Sequence, residues 1–337
     1  MIDKKPSADE TMRAVVCNRF GQVNDLRIET VRRPSPGPTE VGIAVRAAGI
    51  NFADVMAVSG THQNTPPLPF TPGFEVAGVI EAVGSKVSSL NIGDRVMAAV
   101  GHGAFAESLV CPVSHVALIP DTLDFVEAAT VPIAFGTAYV SLVHRAGLRA
   151  GEWLFVQGGG GNIGRGALQI GKLLGAKTIA TGSGPLGCDL VRSLGGDFAI
   201  DYKSEDVAAR VRELTDGAGA SIIFDAVTGP AFLDTLGALA REGRHIIAGA
   251  GGGSVPEISL MELITRHVTM IGVDIDDYLH RSPEVTAEFM NALAGWLRQG
   301  WLTPRKPITM PLANASQALT LVATGKAGGK IVLINEE

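Results

Sequence analysis

The chain has 337 residues, of which 46% are hydrophobic and 18% charged, and its formal net charge is −6. That length exceeds one ordinary core and suits two domains of about 130–200 residues, and the apolar content speaks for compact folding over disorder. The acidic balance gives no electrostatic case for nucleic acid or an anionic membrane as the main partner, and Cys17, Cys111 and Cys188 are too scattered for a disulfide framework or a cysteine zinc site.

The opening MIDKKPSADETMR is polar and lacks an apolar signal core, so residues 1–11 read as a flexible tail. No run of about 18 apolar residues follows anywhere, and the chain reads as soluble and cytoplasmic. From Arg13 to Ile119 the runs MRAVVC, EVGIAVRAAG, VAGVIEAVG, DRVMAAV and HVALIP lie between Pro- and Gly-rich turns, which predicts a mostly antiparallel β domain. Near Glu127 the texture changes, and VEAATVPIAFGTAYVSLVHRAG carries helical spacing. Strands are then predicted at EWLFVQ, KTIAT, DFAI, SIIFDAV, RHIIAGA and VTMIGV. Between them lie the helical segments GRGALQIGKLLG, LGCDLVRSLG, SEDVAARVRELT and PAFLDTLGALAR. Strict alternation implies right-handed crossovers and an α/β fold, with a doubly wound, six-stranded parallel sheet over residues 134–276. The remaining helix, EVTAEFMNALAGWLRQG, and strand, KIVLIN, are too little to fold alone. They are expected to return to the first domain, which then comprises 12–133 and 277–337. No internal repeat or low-complexity segment is present.

The chemistry concentrates first at VQGGGGNIGRGALQIGKLLGA. Strand WLFVQ ends at Gln157, and apolar residues recur at helical spacing from Ile163 to Leu174. Between them Gly159, Gly161 and Gly164 fit the G-x-G-x-x-G spacing, with Gly158, Gly160, Asn162 and Ile163 completing the turn. Such a turn brings bare backbone and a helix N-terminus, with its unpaired N–H groups, to a pyrophosphate. A glycine-rich turn with no ligand is the bland alternative. The second cluster, Gly249 to Gly253, is either a loop near the cofactor or plain turn chemistry. An NAD site places a carboxylate about 20 residues on, at the end of the second strand. Here Thr181, Gly182 and Ser183 stand there, and a small hydroxyl-bearing rim tolerates a 2′-phosphate, so NADPH is the expected cofactor.

The blocks GPTEVGIAVRAAGINFADV, PFTPGFEVAGVIEAVG, IGDRV, GAFAE, GTAY, the glycine turn, DYKSEDVAARVRELT and IIFDAVTG run in order from about Met12 over nearly the whole chain. In them the chain resembles the medium-chain dehydrogenase/reductase superfamily, and within it the zinc-free quinone oxidoreductases of the zeta-crystallin type. The resemblance implies a GroES-like β domain interrupted by a Rossmann domain, with the active site in the cleft between them. Zinc alcohol dehydrogenases of this superfamily place ligands at positions that are Asn51 and Phe74 here. Asn is a poor zinc ligand and Phe is none, and the four-cysteine lobe that would fall between Arg95 and Glu107 is missing. No metal and no flavin are therefore expected. Without a Lewis acid the favourable acceptor is one already electrophilic, a quinone or a carbonyl-conjugated alkene.

The resemblance also assigns residues. Asn51 matches the family's active-site asparagine, although the position before FADVM would equally suit a helix cap. Asp54 is expected to be structural. His62 stands where many relatives carry a tyrosine; it could donate a proton, or it could be an ordinary solvated loop histidine, and Gln63 is a further polar candidate. Thr137 matches a threonine near the nicotinamide ribose, Tyr202 a tyrosine on the 2′-phosphate, and Lys330 a lysine close to the cofactor. The family's phosphate-binding lysine would fall near Gly187, where there is no base, leaving Ser183, Lys203 or Arg192 to compensate. The other histidines share no spacing and receive no chemistry. A 2-enoyl thioester reductase of the acrylyl-CoA type stays open, with Arg145, Arg149 or Arg281 at the coenzyme phosphates, as does a non-catalytic NADPH-binding or RNA-binding protein. The edge strand VTMIGV is expected to pair across a homodimer.

Overall fold

A computed structural model describes residues 11–249 and 257–335. The polar stretch 1–10 and Gly251–Gly253 of the second glycine cluster lie outside the described residues. The chain forms two compact units. One runs to Ile133 and resumes at Asp276, and the other is Ala134–Ile275.

The first unit is mainly β. Its strands are β1 (Thr11–Val16), β2 (Arg27–Arg32), β3 (Glu40–Gly49), β4 (Glu75–Val83), β5 (Arg95–Ala99), β6 (Ser108–Pro112) and β7 (Val116–Leu118). β1 and β2 form an antiparallel pair, and β3 through β7 build a larger antiparallel sheet. The runs expected as strands are β1, β3, β4, β5 and β7. β2 and β6 were not among them. RIETVR alternates charged side chains and leaves much of its surface exposed, so no apolar pattern marks it. Only its pairing with β1 makes it a strand.

The second unit holds β8 (Trp153–Gln157), β9 (Lys177–Gly182), β10 (Phe198–Asp201), β11 (Ala220–Asp225), β12 (Leu239–Ile247) and β13 (Thr269–Gly272), the six expected strands. They are parallel and ordered β10-β9-β8-β11-β12-β13. Leu154, Phe155 and Val156 of β8 are all fully buried, the continuous apolar run of a strand covered on both faces. Phe155, Ile179, Ile200, Val211, Ile223 and Leu236 cluster on one face, each side chain contributing about 1.5–3 kcal/mol by burial. The order reverses between β8 and β11, and in such sheets ligands bind beyond the strand ends at that switch.

Two helical expectations change. PAFLDTLGALAR is α-helical only over Phe232–Gly237, after a 3-10 turn at Gly229–Ala231, and Leu239 already opens β12 by pairing with Ala220. Sheet pairing there overrides the helix preference of Ala-Leu-Ala-Arg. The segment from Val126 to Gly147 is not one helix: Phe125–Ala128 ends, and Pro132, which has no N–H to donate, starts a second turn of chain over Pro132–Tyr139. It continues as a π-helix over Val140–Arg145.

Back in the first unit, helices Ile275–Arg281 and Pro283–Arg298 precede β14 (Ile308–Pro311), helix Ala315–Ala323 and β15 (Ile331–Ile334). β15 pairs antiparallel with β3 and parallel with β14. The late strand KIVLIN thus returns to the sheet of the first hundred residues.

Candidate active site

The glycine turn follows β8. Gly158 has φ +79° and takes the left-handed conformation that glycine tolerates. This demand falls one residue before the G-x-G-x-x-G triplet. A Cβ on Gly164 would lie 2.2 Å from the Gly158 carbonyl oxygen, so the helix can leave the turn this tightly only without a side chain. Gly161 is the N-cap of helix Asn162–Leu173, and no side chain caps it. The N–H groups of Asn162, Ile163 and Gly164 therefore open the helix without intrahelical acceptors, and with the partial positive charge of that end they suit a phosphate.

Thr181 lies beneath this turn, not on its rim. It is buried, the Gly158 N–H donates to its Oγ1 at 2.8 Å, and its hydroxyl lies 3.4 Å from Gln157 Oε1. The exposed rim is Ser183 and Tyr202. Register pairs Gly182 with Asp201, and the Tyr202 N–H donates to the Gly182 carbonyl at 3.3 Å. A carboxylate does stand near the second strand's end, but on its neighbour: Asp201 Oδ1 accepts from the N–H groups of Gly184 and Lys203 at 2.8 and 3.1 Å. These bonds hold its carboxyl below the usual carboxylate range. Arg192 pairs with Asp189 at 2.9 Å. Gly249 lies past β12, where a Cβ would come within 2.7 Å of the Ala226 carbonyl oxygen. Thr137 is buried in the helix that packs against Gly166.

Asn51, His62 and Lys330 belong to the first unit. Lys330 precedes β15 and is only 2% exposed. Its ammonium donates to Asn51 Oδ1 at 2.7 Å and to Glu75 Oε1. Asn51 Nδ2 donates to the same Glu75 oxygen at 2.9 Å, and Glu75 Oε2 accepts the Ile133 N–H at 2.9 Å. Lysine only donates and a carboxylate only accepts, so the network fixes which way the Asn51 amide faces. Asn51 does sit at the N-cap of helix Phe52–Ser59, and its N–H donates to Asp54 Oδ2 at 2.6 Å. Burial pushes the Asp54 carboxyl up to about 7, against the opposing pull of the Asn51 N–H and the Lys330 charge. Glu75, which joins Asn51 to Lys330, is not among the residues expected at the site from the sequence. Its signal was a carboxylate opening the mostly apolar strand EVAGVIEAV, as Lys330 immediately precedes the apolar strand IVLI.

His62 is not solvated. It is 8% exposed, its ring centroid lies 5.3 Å from that of Phe74, and Nδ1 is 4.0 Å from Asp276 Oδ2. His280, four residues on, approaches the other oxygen of Asp276 at 3.4 Å. Histidines with no shared spacing thus meet at one aspartate. In the second unit, His245 is buried 3.6 Å from Asp225 and stacks on Phe232.

Residues 37–121 match the alcohol dehydrogenase GroES-like domain, and residues 162–293 the family described as zinc-binding dehydrogenase. The chain is 33% identical over 336 residues to a quinone oxidoreductase-like protein 2 homolog of Nematostella vectensis, spanning 98% of this chain and 91% of that protein. It is 30% identical over 331 residues to the quinone oxidoreductase of Sus scrofa, spanning 97% and 99%. A mycobacterial structure complexed with NADPH matches it with a TM-score of 0.87 at 31% identity, over 96% of this chain and 100% of that one. The donor set does not fit the zinc of the family description. Asn51 Oδ1 faces an ammonium, Phe74 offers no donor, and among the described residues no group of three or more His, Cys, Asp or Glu could hold a metal. With its GroES-like and Rossmann-type parts, the chain belongs to the quinone oxidoreductase family of the medium-chain dehydrogenase/reductase superfamily.

Proposed function

We propose that the chain is a metal-independent, NADPH-dependent reductase of quinones or other α,β-unsaturated carbonyl compounds. The observation that carries this reading is the Asn51–Glu75–Lys330 network. The cation these residues face is a lysine ammonium, and one Asn51 Nδ2 hydrogen, spent on Glu75, leaves the second for an acceptor oxygen gaining negative charge. Gly158 to Gly164 and the helix that follows hold the pyrophosphate. Ser183 and Tyr202 meet the 2′-phosphate, Thr137 the nicotinamide ribose, and Gly249 lines the same binding region. Bound NADPH supplies the hydride, and no flavin is needed. An acceptor polarised by its own conjugation needs no Lewis acid, only alignment and the Asn51 hydrogen bond.

The test is a panel of 1,4-naphthoquinone, a simple enone and crotonyl-CoA, run with NADPH and NADH, with and without a chelator. Expected is oxidation of NADPH by a quinone or enone, unchanged by chelation, with NADPH bound more tightly than NADH. Activity abolished by stripping metal, or NADH binding at least as tightly, overturns the reading. Faster turnover of crotonyl-CoA would favour the thioester reductase, which gains little from Arg281 and Arg145, engaged with Asp277 and the Gly272 carbonyl. Tight NADPH binding without turnover would favour a non-catalytic role.

The proposal includes a homodimer and a cytoplasmic location. β13 is an edge strand, and the nearby helix Leu260–Arg266 exposes Leu260, Met261 and Ile264, an apolar face that a second copy would cover. A monomer by light scattering rejects the dimer. Among the described residues no helix is long and apolar enough to cross a membrane.

A further inference from the structure

We infer that Asp225, supported by His245, is a positioning residue for the nicotinamide half of the cofactor, holding the turn Ala226–Thr228 against the glycine turn; this rests on the NADPH-binding reading above. A doubly wound sheet takes a dinucleotide across its switch point, one mononucleotide to each half. Ser183 and Tyr202 stand in the half built from β8, β9 and β10. The end of β11, where Asp225 lies opposite Gln157 of β8, opens the other half.

The turn after β11 is held in a conformation that its own residues do not favour. Thr228 has φ +54° and ψ −140°, a region in which a side chain is rarely tolerated. Asp225 offsets this. Its Oδ1 accepts the N–H groups of Val227 and Thr228 at 2.9 and 2.8 Å, and its carbonyl oxygen accepts the Ala248 N–H at 2.9 Å. One residue thus ties the turn to its own strand and to the end of β12. The turn also fills the space beside two glycines. A Cβ on Gly158 would lie 2.7 Å from Val227 Cγ2, and one on Gly249 2.7 Å from the Ala226 carbonyl oxygen. Val227 is therefore seated directly against the first residue of the glycine turn. A shift of 226–228 would move the wall of the switch point on its nicotinamide side.

The second carboxylate oxygen accounts for His245. Both residues are fully buried, and neither Asp225 Oδ2 nor either ring nitrogen of His245 has a hydrogen-bond partner among the described residues. Nε2 faces Oδ2 at 3.6 Å, beyond hydrogen-bond length, so charge links the two. The ring is fixed by its stack on Phe232, with 4.8 Å between centroids. An Nε2–H directed at Oδ2 stabilises a charge that burial penalises. The carboxylate then stays a strong acceptor for the two N–H groups that hold Thr228 in place. Asp201, which ends β10 and likewise accepts backbone N–H groups, lies partly in solvent and needs no such neighbour.

The experiment is calorimetric binding of NADPH, and of 2′,5′-ADP, which lacks the nicotinamide half, to the full chain. Asp225→Ala should weaken NADPH about tenfold and leave 2′,5′-ADP within about twofold of wild type. Adding Thr228→Gly should bring NADPH back to within about threefold, because glycine takes this backbone conformation without a Cβ penalty. His245→Phe keeps the ring's volume and should weaken NADPH about fivefold with 2′,5′-ADP unchanged, whereas His245→Gln keeps a donor and should lose less than about twofold. A general loss of structure would weaken both ligands together, and a glycine would not repair it. Should Asp225→Ala not fold, His245→Phe decides alone. Equal losses for the two ligands, or NADPH binding unmoved in these variants, overturn the positioning role. A wild type that binds neither ligand instead overturns the NADPH reading.

Discussion

The two units build their functional groups by different means. In Ala134–Ile275 the glycine turn is built from backbone: Gly158 supplies a left-handed φ, Gly164 a missing side chain, and an uncapped helix its N–H groups. In the other unit the groups are side chains brought from afar, Asn51, Glu75 and Lys330, the first and last 279 positions apart in sequence. Backbone sites are local in sequence and tolerate few residue types. Side-chain networks are non-local, and each member depends on the charge of the others.

The largest test of that contrast is Lys330→Met. It leaves the buried Glu75 carboxylate without its cation and should cost about 3–5 kcal/mol in urea unfolding. Adding Glu75→Gln should recover most of the loss, since the uncompensated charge goes too. A single-variant cost below about 1 kcal/mol would mean the network does not hold Asn51. The next effect depends on pH. The folded value of Asp54 is raised from 3.8 to about 7, so its contribution to stability is fully present below about pH 4 and is lost as pH rises through about 7. Asp54→Asn should therefore gain on the wild type between these pH values, by at most roughly 4 kcal/mol. A difference flat with pH would contradict this. Smallest is Thr181→Val, which leaves the Gly158 N–H without its acceptor. It should cost about 1–3 kcal/mol and weaken NADPH severalfold by fluorescence titration, and Thr181→Ser should restore both.

The same contrast explains what was legible in the sequence. β8, β9 and β11 stood out because strands buried on both faces are near-continuous apolar runs, β10, β12 and β13 because they keep the alternation with helical segments, and the glycine turn because its spacing is local. β2 was invisible, since its charged alternation carries no apolar signal. Leu239 read as helical because only its partner Ala220 makes it a strand. In the side-chain unit, resemblance pointed to Asn51 and Lys330, but not to their meeting at Glu75. His62, His102 and His280 share no spacing; the fold, not the order of residues, collects them around Asp276.

The pairing of β15 with β3 has a consequence for synthesis. A nascent chain leaving the ribosome has made Asn51 and Glu75 long before Lys330, and strand β3 waits for its neighbour until residues 331–334 emerge. The parallel-sheet unit, whose strands are contiguous, can finish first. Until then the early half carries an acidic group awaiting its counter-ion and an open sheet edge, the state in which chaperones would engage it.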